Sequence, residues 1–419
     1  MTAGSARAAG AAGAAGAAGA AGAAGAGAPA REGAPAGSGG TGAPASVRVL
    51  FAGGGTGGHL YPALALASAM RAVRPGVEAH FVGAQRGVEA RVLPAQGVPY
   101  TLLPFEPIRR DRVWRNWRLV PSLIGSAVGL ARLFRRVRPQ LVVGTGGYAS
   151  GPACAWALLR GVPVAVQEQN SYPGLVTRWL SRWARQVHLG FPEAERYLRP
   201  GRRTRVFALG NPIRPPDPGL DRAECRKEFG LTPEGVVGLV VGGSQGARAV
   251  NEALCRTLEA VAAGALEAPP AGFQLLWATG PAHLDTVRSR LEPLGVDGWV
   301  RVVGYIEEMP KALAAADFAL SRAGAMATAE LMAWGIPAIL VPLPTAAADH
   351  QTHNARALEE AGAAVCVSES ELSPERLWSE LRRLAGDSVL REAMAGRARE
   401  RARPDAAREI AERMLSLVA

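Results

Sequence analysis

Apolar residues in this chain occur in short unbroken runs, separated by segments with helical spacing. Runs such as VRVLFA, VPVAVQ and VGLVV show no regular alternation with polar residues. Strands have such unbroken apolar runs when helices cover both faces of a parallel sheet. Between the runs, segments such as YPALALASAMRAV have apolar residues three and four positions apart, as helices do. The alternation of the two patterns predicts an α/β protein with parallel sheets.

The same alternation occurs in two halves, and each half opens with a strand, a glycine-rich turn and a helix. A proline-rich stretch at 208–221 joins them and is typical of a linker. We therefore expect two Rossmann-like, doubly wound domains that face a central cleft, where ligands bind at the carboxyl ends of the strands. The expected domains are 47–212, 213–395, and a C-terminal helix within 396–419 that packs back on the first domain.

Residues 1–46 have a different texture, with repeats such as AAGAAGAAG. Glycine at every third position opposes helix formation, and the stretch lacks large apolar side chains to pack. We expect a disordered tail. The absence of a run of large apolar residues makes it a poor signal peptide.

The net charge and the cysteine spacing limit the classes of function that this chain can have. The chain of 419 residues has a formal net charge of +11, and arginine supplies nearly all of its cations. This surplus indicates either an anionic partner or a coding bias toward arginine. The four cysteines have no zinc-type or redox spacing and suit a reducing compartment. No helix-turn-helix, RNP or zinc pattern points to nucleic acid.

The first glycine turn, GGGTGG at 53–58, satisfies the G-x-G-x-x-G pattern between a strand and a helix. Backbone N–H groups in such a turn can bind a pyrophosphate. A dinucleotide enzyme would have an acidic residue at the end of the second strand, but Gln85 and Arg86 stand there. Arg86 keeps an NADP-dependent oxidoreductase open as an alternative, whereas the bulk of His59 beside the turn weighs against it.

The second turn, GGSQGA at 242–247, is not a dinucleotide fingerprint. It still offers backbone donors, the Ser244 hydroxyl and a helix N-terminus to an anion. Two such turns on two facing domains favour a bound ligand over the alternative that each turn only connects a strand to a helix.

Eight motifs carry a resemblance to a known family. They are GGGTGGHLYPALALA (53–67), GTGGYASGP (144–152), QEQN (167–170), GNPIR (210–214), GGSQGA (242–247), GYIEEMP (304–310), SRAGAMATAELMAWGIPAILVPLP (321–344) and HQTHNA (350–355). In this order they resemble the MurG family of bacterial peptidoglycan glycosyltransferases, glycosyltransferase family 28, which has the GT-B fold. The resemblance covers residues 47–419 and leaves out the tail.

The resemblance implies an inverting transfer of N-acetylglucosamine from UDP-GlcNAc to the C4 hydroxyl of MurNAc in lipid I, giving lipid II. It also implies that no metal or other cofactor takes part, and the sequence has no clear D-x-D motif. A membrane-surface protein that binds nucleotides without catalysis is a third hypothesis beside the oxidoreductase.

The resemblance also implies the residues that bind UDP-GlcNAc. Ser244 and Arg214 would hold the diphosphate, Ile306 the uracil, and Glu330 the ribose hydroxyls, while Gln351 and Asn170 would hold the sugar. The full implied set is Thr56, Gly57, Gly58, Asn170, Arg214, Ser244, Ile306, Ala325, Met326, Ala327, Thr328, Ala329, Glu330 and Gln351.

Inverting transfer needs a base for the acceptor hydroxyl, and imidazole suits proton transfer near neutral pH. We predict His59 or Glu168 as the catalytic base. A role for His59 in binding the acceptor pyrophosphate, or in capping the turn, remains open.

The stretch at 109–139 interleaves arginine, tryptophan and aliphatic residues around an apolar centre too short to span a bilayer. It predicts contact with an anionic membrane surface, the alternative being an ordinary amphipathic helix. With the resemblance, we expect a peripheral protein on the cytoplasmic face of the inner membrane, with other cell-wall synthesis proteins as partners and no nucleic acid.

Overall fold

Two parallel sheets form the framework of the protein. The structure is a computed structural model that describes residues 46–106, 119–243 and 245–418. The first sheet has the strands β1 Val47–Ala52, β2 Val77–Ala84, β3 Tyr100–Leu103, β4 Leu141–Gly144, β5 Val164–Glu168, β6 Gln186–Leu189 and β7 Arg205–Phe207. The second has β8 Val236–Val241, β9 Phe273–Ala278, β10 Val300–Val303, β11 Phe318–Ser321, β12 Ala338–Leu340 and β13 Ala364–Cys366.

Helices connect the strands and cover both sheets. They are α1 Gly57–Val73, α2 Glu89–Ala95, α3 Leu119–Val137, α4 Ser150–Leu159, α5 Leu175–Leu180, α6 Arg222–Glu228, α7 Arg248–Ala262, α8 Leu284–Leu291, α9 Met309–Ala315, α10 Ala325–Ala333, α11 His350–Glu360, α12 Pro374–Gly386, α13 Ser388–Arg401 and α14 Ala406–Leu415.

The strand orders are those of doubly wound folds. The first sheet runs β3-β2-β1-β4-β5-β6-β7 and the second β10-β9-β8-β11-β12-β13, with all pairs parallel. In each sheet the order reverses beside the strand that leads into a glycine turn, β1 or β8. Crevices at such switch points are where ligands bind in open α/β sheets. The α/β fold with two Rossmann-like domains, predicted from the apolar runs, is confirmed.

Each sheet has a hydrophobic core on both faces, which explains the unbroken apolar strands. Leu50 packs with helices on one face of the first sheet, and Phe51, its neighbour in β1, packs on the other. In β9, Leu276 and Trp277 divide in the same way between the two cores of the second sheet. Successive side chains of a strand point to opposite faces, so both must be apolar here.

The end of the chain returns to the first sheet. Ile410, Ala411 and Met414 of α14 are fully buried against α1, in the core that contains Leu60 and Leu66. We call the first sheet, its helices and α14 the first lobe, and the second sheet with its helices the second lobe. The boundary expected at 395/396 falls inside α13, which packs against α10 and α12 of the second lobe. The chain crosses back only after Arg401, because the apolar face that fits α1 begins at Ala406.

The Ala/Gly tail up to residue 45 lies outside the described residues, as does the part of the predicted membrane segment at 109–118. The rest of that segment forms α3. Its buried face contributes Leu130, Leu133 and Phe134 to a core of the first lobe. Leu123, Ile124 and Val128 are exposed on the opposite side.

Candidate functional site

The first glycine turn leads from β1 into the N-terminus of α1. Thr56 has extended dihedral angles before the helix, and its side chain makes no capping hydrogen bond. The N–H groups of Gly57 and Gly58 find no acceptor among the residues that the structure describes. Free N–H groups at a helix start attract anions. The first lobe therefore has a helix start with free N–H groups, which suits an anion.

The buried carboxylate of Glu89 stabilises this turn through hydrogen bonds. Oε1 of Glu89 accepts the N–H groups of Gly55, at 3.0 Å, and Ala84, at 3.1 Å. Gly55 has a φ of +92°, a conformation that favours glycine. A Cβ at Gly54 would lie 1.7 Å from the Glu89 carboxylate, so only glycine fits there. The sequence analysis missed Glu89, since a single glutamate four residues before Leu93 looks like an ordinary helix start.

His59 stands in the first turn of α1 and is held on several sides. Its Nδ1 lies 3.1 Å from Oε1 of Gln169, and its carbonyl oxygen accepts the Thr145 hydroxyl at 2.7 Å. The turn after β4 closes against the ring, because a Cβ at Gly146 would lie 2.8 Å from Nδ1 and one at Gly147 would lie 3.1 Å from Cδ2. The imidazole is half-buried, so it is both positioned and reachable.

Glu168, the other predicted base, lies at the end of β5 with 2 % of its surface exposed. Its carboxylate accepts the N–H of Asn170 at 3.1 Å, the Asn170 side-chain amide at 3.3 Å and the N–H of Gly174 at 3.0 Å. These bonds close the turn that follows β5. The carboxylate is thus occupied with the backbone of its own loop.

A pocket opens in the second lobe at the carboxyl ends of β8 and β11. Apolar surface and backbone dominate its lining, with a few polar side chains at one side. The lining residues are Val241, Gly242, Gly243, Ala278, Gly304, Tyr305, Ile306, Met309, Leu313, Ser321, Arg322, Gly324, Ala327, Glu330, Leu331 and Gln351. Of the predicted ligands, Ile306, Ala327, Glu330 and Gln351 meet here. Ser244 of the second glycine turn lies outside the described residues.

Glu330 is a polar group of this pocket whose carboxylate lacks a hydrogen-bond partner among the described residues. No donor among the described residues lies within hydrogen-bond distance of its carboxylate. Burial raises the pKa of the Glu330 carboxyl from 4.5 to about 7. Desolvation without compensating donors disfavours the charged form, which explains the direction. A ligand with hydroxyl groups would donate the hydrogen bonds that this carboxylate does not receive from the protein.

The other α10 residues take different positions around the helix. Ala325, Met326 and Thr328 are largely buried, and the Thr328 hydroxyl donates to the carbonyl oxygens of Gly324 and Ala325 within the helix. Ala329 is not among the pocket-lining residues described above. These residues would therefore act through the helix backbone and its packing, while Ala327 and Glu330 face the pocket.

The remaining predicted donor ligands differ in how firmly they are held. Gln351 is buried, and its Oε1 accepts the N–H of Leu343 at 3.0 Å, which fixes it at the pocket. Arg214 is exposed after the join between the lobes, and its side chain has no acceptor among the described residues. Its guanidinium is thus available to an anion.

Two asparagines join the lobes across the cleft, and neither was predicted. Oδ1 of Asn354 accepts the N–H of Ser171 at 2.8 Å and its hydroxyl at 3.1 Å, while Nδ2 donates to Oδ1 of Asn170 at 3.1 Å. Asn211 donates to the carbonyl oxygens of Gln169, at 2.9 Å, and Ala325, at 3.3 Å. Both asparagines lie inside the quoted motifs, but an uncharged amide gives no signal of its role in a sequence.

His350, at the start of α11, approaches the first-lobe site from the second lobe. The charges of His59 and Glu168 of the first lobe both act on it. Desolvation lowers the pKa of His350, although its Nδ1 bonds to the carbonyl oxygen of Ala347 at 2.8 Å. The two lobes thus bring together an imidazole with a firmly held Nδ1 and a pocket with an unpaired carboxylate.

The chain is similar to known glycosyltransferases in its sequence and in its fold. Residues 49–189 match the model of the glycosyltransferase family 28 N-terminal domain, and residues 237–410 match that of its C-terminal domain. The chain is 42 % identical over 379 residues to a UDP-N-acetylglucosamine–N-acetylmuramyl-(pentapeptide) pyrophosphoryl-undecaprenol N-acetylglucosamine transferase of Moorella thermoacetica, covering 89 % of this chain and 99 % of the relative.

A protein of the same name from Chlorobaculum parvum is 42 % identical over 376 residues, covering 88 % of this chain and 99 % of the relative. Among solved structures, MurG of Acinetobacter baumannii aligns with a TM-score of 0.68 and 28 % identity, covering 89 % of this chain and 100 % of that one.

Proposed function

The chain belongs to glycosyltransferase family 28, and on that premise we propose the reaction that it catalyses. It transfers N-acetylglucosamine from UDP-GlcNAc to undecaprenyl-pyrophosphoryl-MurNAc-pentapeptide, lipid I. The new bond joins the sugar to the C4 hydroxyl of the muramoyl residue and gives lipid II. The names of relatives that align over nearly their whole length support this assignment over an oxidoreductase.

The observation that carries the proposal is the pairing of two different sites across one cleft. The second lobe supplies a pocket with an unpaired, partly buried carboxylate, Glu330. The first lobe supplies an anion-binding helix start beside a positioned imidazole, His59. The ribose hydroxyls of a sugar-nucleotide donor suit the pocket with Glu330. The diphosphate of an acceptor suits the helix start beside His59.

The donor is bound by the second lobe and the join. Glu330 accepts the ribose hydroxyls, Ile306 packs on the uracil, and Gln351 with Asn170 contacts the sugar hydroxyls. Arg214 and the N-terminus of α7 bind the diphosphate, together with Ser244, which the resemblance to the family implies. As the bond between the anomeric carbon and UDP breaks, these donors stabilise the negative charge that grows on the leaving group, without a metal ion.

The acceptor is bound by the first lobe. Thr56, Gly57 and Gly58 were expected to bind UDP-GlcNAc, but they lie in the first lobe and do not line the donor pocket. We propose instead that they hold the acceptor pyrophosphate at the start of α1 and that His59 contacts the attacking hydroxyl. The C4 oxygen forms a bond to the anomeric carbon on the face opposite UDP, so the configuration inverts. The hydroxyl proton passes to His59, and the electron pair of the broken bond leaves with UDP. We assign the base to His59, since both carboxylate oxygens of Glu168 already accept hydrogen bonds from N–H groups of its own loop.

A lipid-linked acceptor requires contact with a membrane. On α3, Leu123 is 59 % and Ile124 62 % exposed, and Arg132, Arg135 and Arg136 follow on the exposed surface toward the helix end. An apolar face with flanking cations suits anionic lipid. In the described part of the chain, no helix combines the length and the apolar character needed to cross a bilayer. We therefore propose a peripheral position on the cytoplasmic face of the inner membrane.

The reaction is tested directly with purified protein, UDP-GlcNAc and a soluble lipid I analogue. We expect UDP release that depends on the acceptor, and a product heavier by one N-acetylglucosamine in mass spectrometry. UDP-GlcNAc should raise the melting temperature and NADPH should not. Stabilisation by NADPH alone, or UDP-GlcNAc binding without UDP release in any detergent, would contradict the proposal.

A further inference from the structure

Gln169 connects His59 to the strand ends of the first sheet. Its Oε1 lies 3.1 Å from His59 Nδ1. Its Nε2 donates to the carbonyl oxygen of Thr145 at 2.9 Å and to that of Gln167 at 3.2 Å. Only 2 % of Gln169 is exposed, so water does not compete for these contacts.

The contacts fix which way the amide of Gln169 faces. Carbonyl oxygens only accept hydrogen bonds, so the NH₂ group must face Thr145 and Gln167 and Oε1 must face His59. The Gln167 side chain is itself oriented, since its Oε1 accepts from Gln169 and its Nε2 donates to Oδ1 of Asn211 at 3.0 Å. The reversed amide would set oxygen against oxygen and leave buried groups unsatisfied, at a cost of about 1–3 kcal/mol for each.

The fixed amide decides the tautomer of the imidazole. Oε1 of Gln169 can only accept, so Nδ1 of neutral His59 must carry the proton and Nε2 must keep its lone pair. The imidazole ring has little room to rotate, because Gly146 and Gly147 lie against it. The Thr145 hydroxyl also donates a hydrogen bond to the backbone carbonyl oxygen of His59.

We propose that Gln169 is a positioning residue that holds His59 as its Nδ1–H tautomer, leaving Nε2 to accept the proton of the acceptor hydroxyl. The catalytic step rests on the proposed function, whereas the tautomer is a property of the protein without substrate. Of the other titratable groups, Glu168 is engaged by Asn170 and Gly174, and His350 of the second lobe is affected by the charge of His59.

The tautomer is measured by nitrogen NMR on full-length protein containing ¹⁵N-labelled histidine. The chain has six histidines, and a His59→Gln sample identifies the signals of His59 by their loss. At pH 8 we expect a protonated Nδ1 and an unprotonated Nε2 at His59. The opposite pattern overturns the proposal, and it does so without reference to enzyme activity. A failed UDP-release assay would instead count against the proposed function.

Variants of Gln169 test its causal role. Gln169→Met keeps the length but removes the acceptor, so His59 should shift toward the Nε2–H form that free histidine prefers in water. We expect kcat to fall by about tenfold or more, with little change in KM for UDP-GlcNAc. Gln169→Glu keeps an acceptor toward His59, but its second oxygen lies against the carbonyl oxygens of Thr145 and Gln167, so the buried carboxyl should stay protonated and donate to one of them. Gln169→Glu should therefore retain the Nδ1–H tautomer and most of kcat, whereas Gln169→Met, of similar size, should lose both.

A matched control exists outside the cleft. Gln186 bonds to Nε2 of His188 at 3.0 Å and to the carbonyl oxygen of Arg413 at 2.9 Å. Gln186→Met removes a similar buried pair, and kcat and the His59 spectrum should stay as in the wild type. The proposal is overturned if Gln169→Met keeps both the Nδ1–H tautomer and the wild-type kcat, or if Gln186→Met loses as much kcat. If Gln169→Met does not fold, the wild-type spectrum and the His59 tautomer and kcat of Gln169→Glu decide, and loss of both in Gln169→Glu overturns the proposal.

Discussion

Binding of UDP-GlcNAc should be coupled to a proton through Glu330. Burial without a donor raises the pKa of this carboxyl to about 7. Ribose hydroxyls donating to the carboxylate would stabilise its charged form and return the pKa toward its ordinary value of 4.5. The ligand therefore prefers ionised Glu330, and affinity should rise with pH across the range where the free group titrates.

The size of the effect follows from the two pKa values. At pH 6 about one free Glu330 in eleven is ionised, and at pH 8 about ten in eleven are. If binding requires the ionised form, the dissociation constant should fall about tenfold between these pH values, or about 1.4 kcal/mol. At pH 6 about 0.9 proton should be released for each ligand bound.

Isothermal titration calorimetry at pH 6, 7 and 8, in two buffers with different ionisation enthalpies, measures both quantities. UDP-GlcNAc is the suitable ligand because its pyrophosphate is a diester and does not titrate in this range, unlike the terminal phosphate of UDP. The control is Glu330→Gln, which should bind more weakly at pH 8, by about 1–3 kcal/mol, and show a flat profile. A wild-type affinity that does not change from pH 6 to 8, without proton release, would refute the ribose-binding role of Glu330.

Four further outcomes are expected. Without ligand, stability should fall as pH rises from 4.5 to about 7 because folding raises the pKa of Glu330; Glu330→Gln should thus raise the melting temperature at pH 8 but not at pH 5. Ile410→Ala should cost about 2–5 kcal/mol in urea unfolding, since it opens a cavity between α14 and α1. Asn354→Ala should weaken lobe closure by about 1–3 kcal/mol, seen as a higher KM for UDP-GlcNAc and faster amide exchange at Ser171. Ile124→Asp should reduce cosedimentation with anionic vesicles while leaving turnover of a soluble acceptor unchanged.

The site could be predicted in part, and the reason differs from residue to residue. Glycine turns and titratable side chains are visible in a sequence because few residues can replace them at a phosphate or a ribose. That made the turn at 53–58 and His59 candidates, whereas Glu330 became a candidate through the resemblance to the family. The amides of Gln169, Asn211 and Asn354 were missed because glutamine and asparagine have no charge and often lie on surfaces. Their roles arise only from the carbonyl and amide groups that surround them.

Local patterns in the amino-acid sequence are enough to predict the helices and strands of this protein. Unbroken apolar runs require strands covered on both faces, helical spacing requires one buried stripe, and glycines mark the turns between them, all of which are local properties. The tertiary structure decided the chemistry. It placed His59 against a residue 110 positions away and Ser171 against one 183 positions away, and it left Glu330 without a donor. Such contacts depend on how two lobes dock, and the free energy of docking is spread over many residues that no local pattern contains.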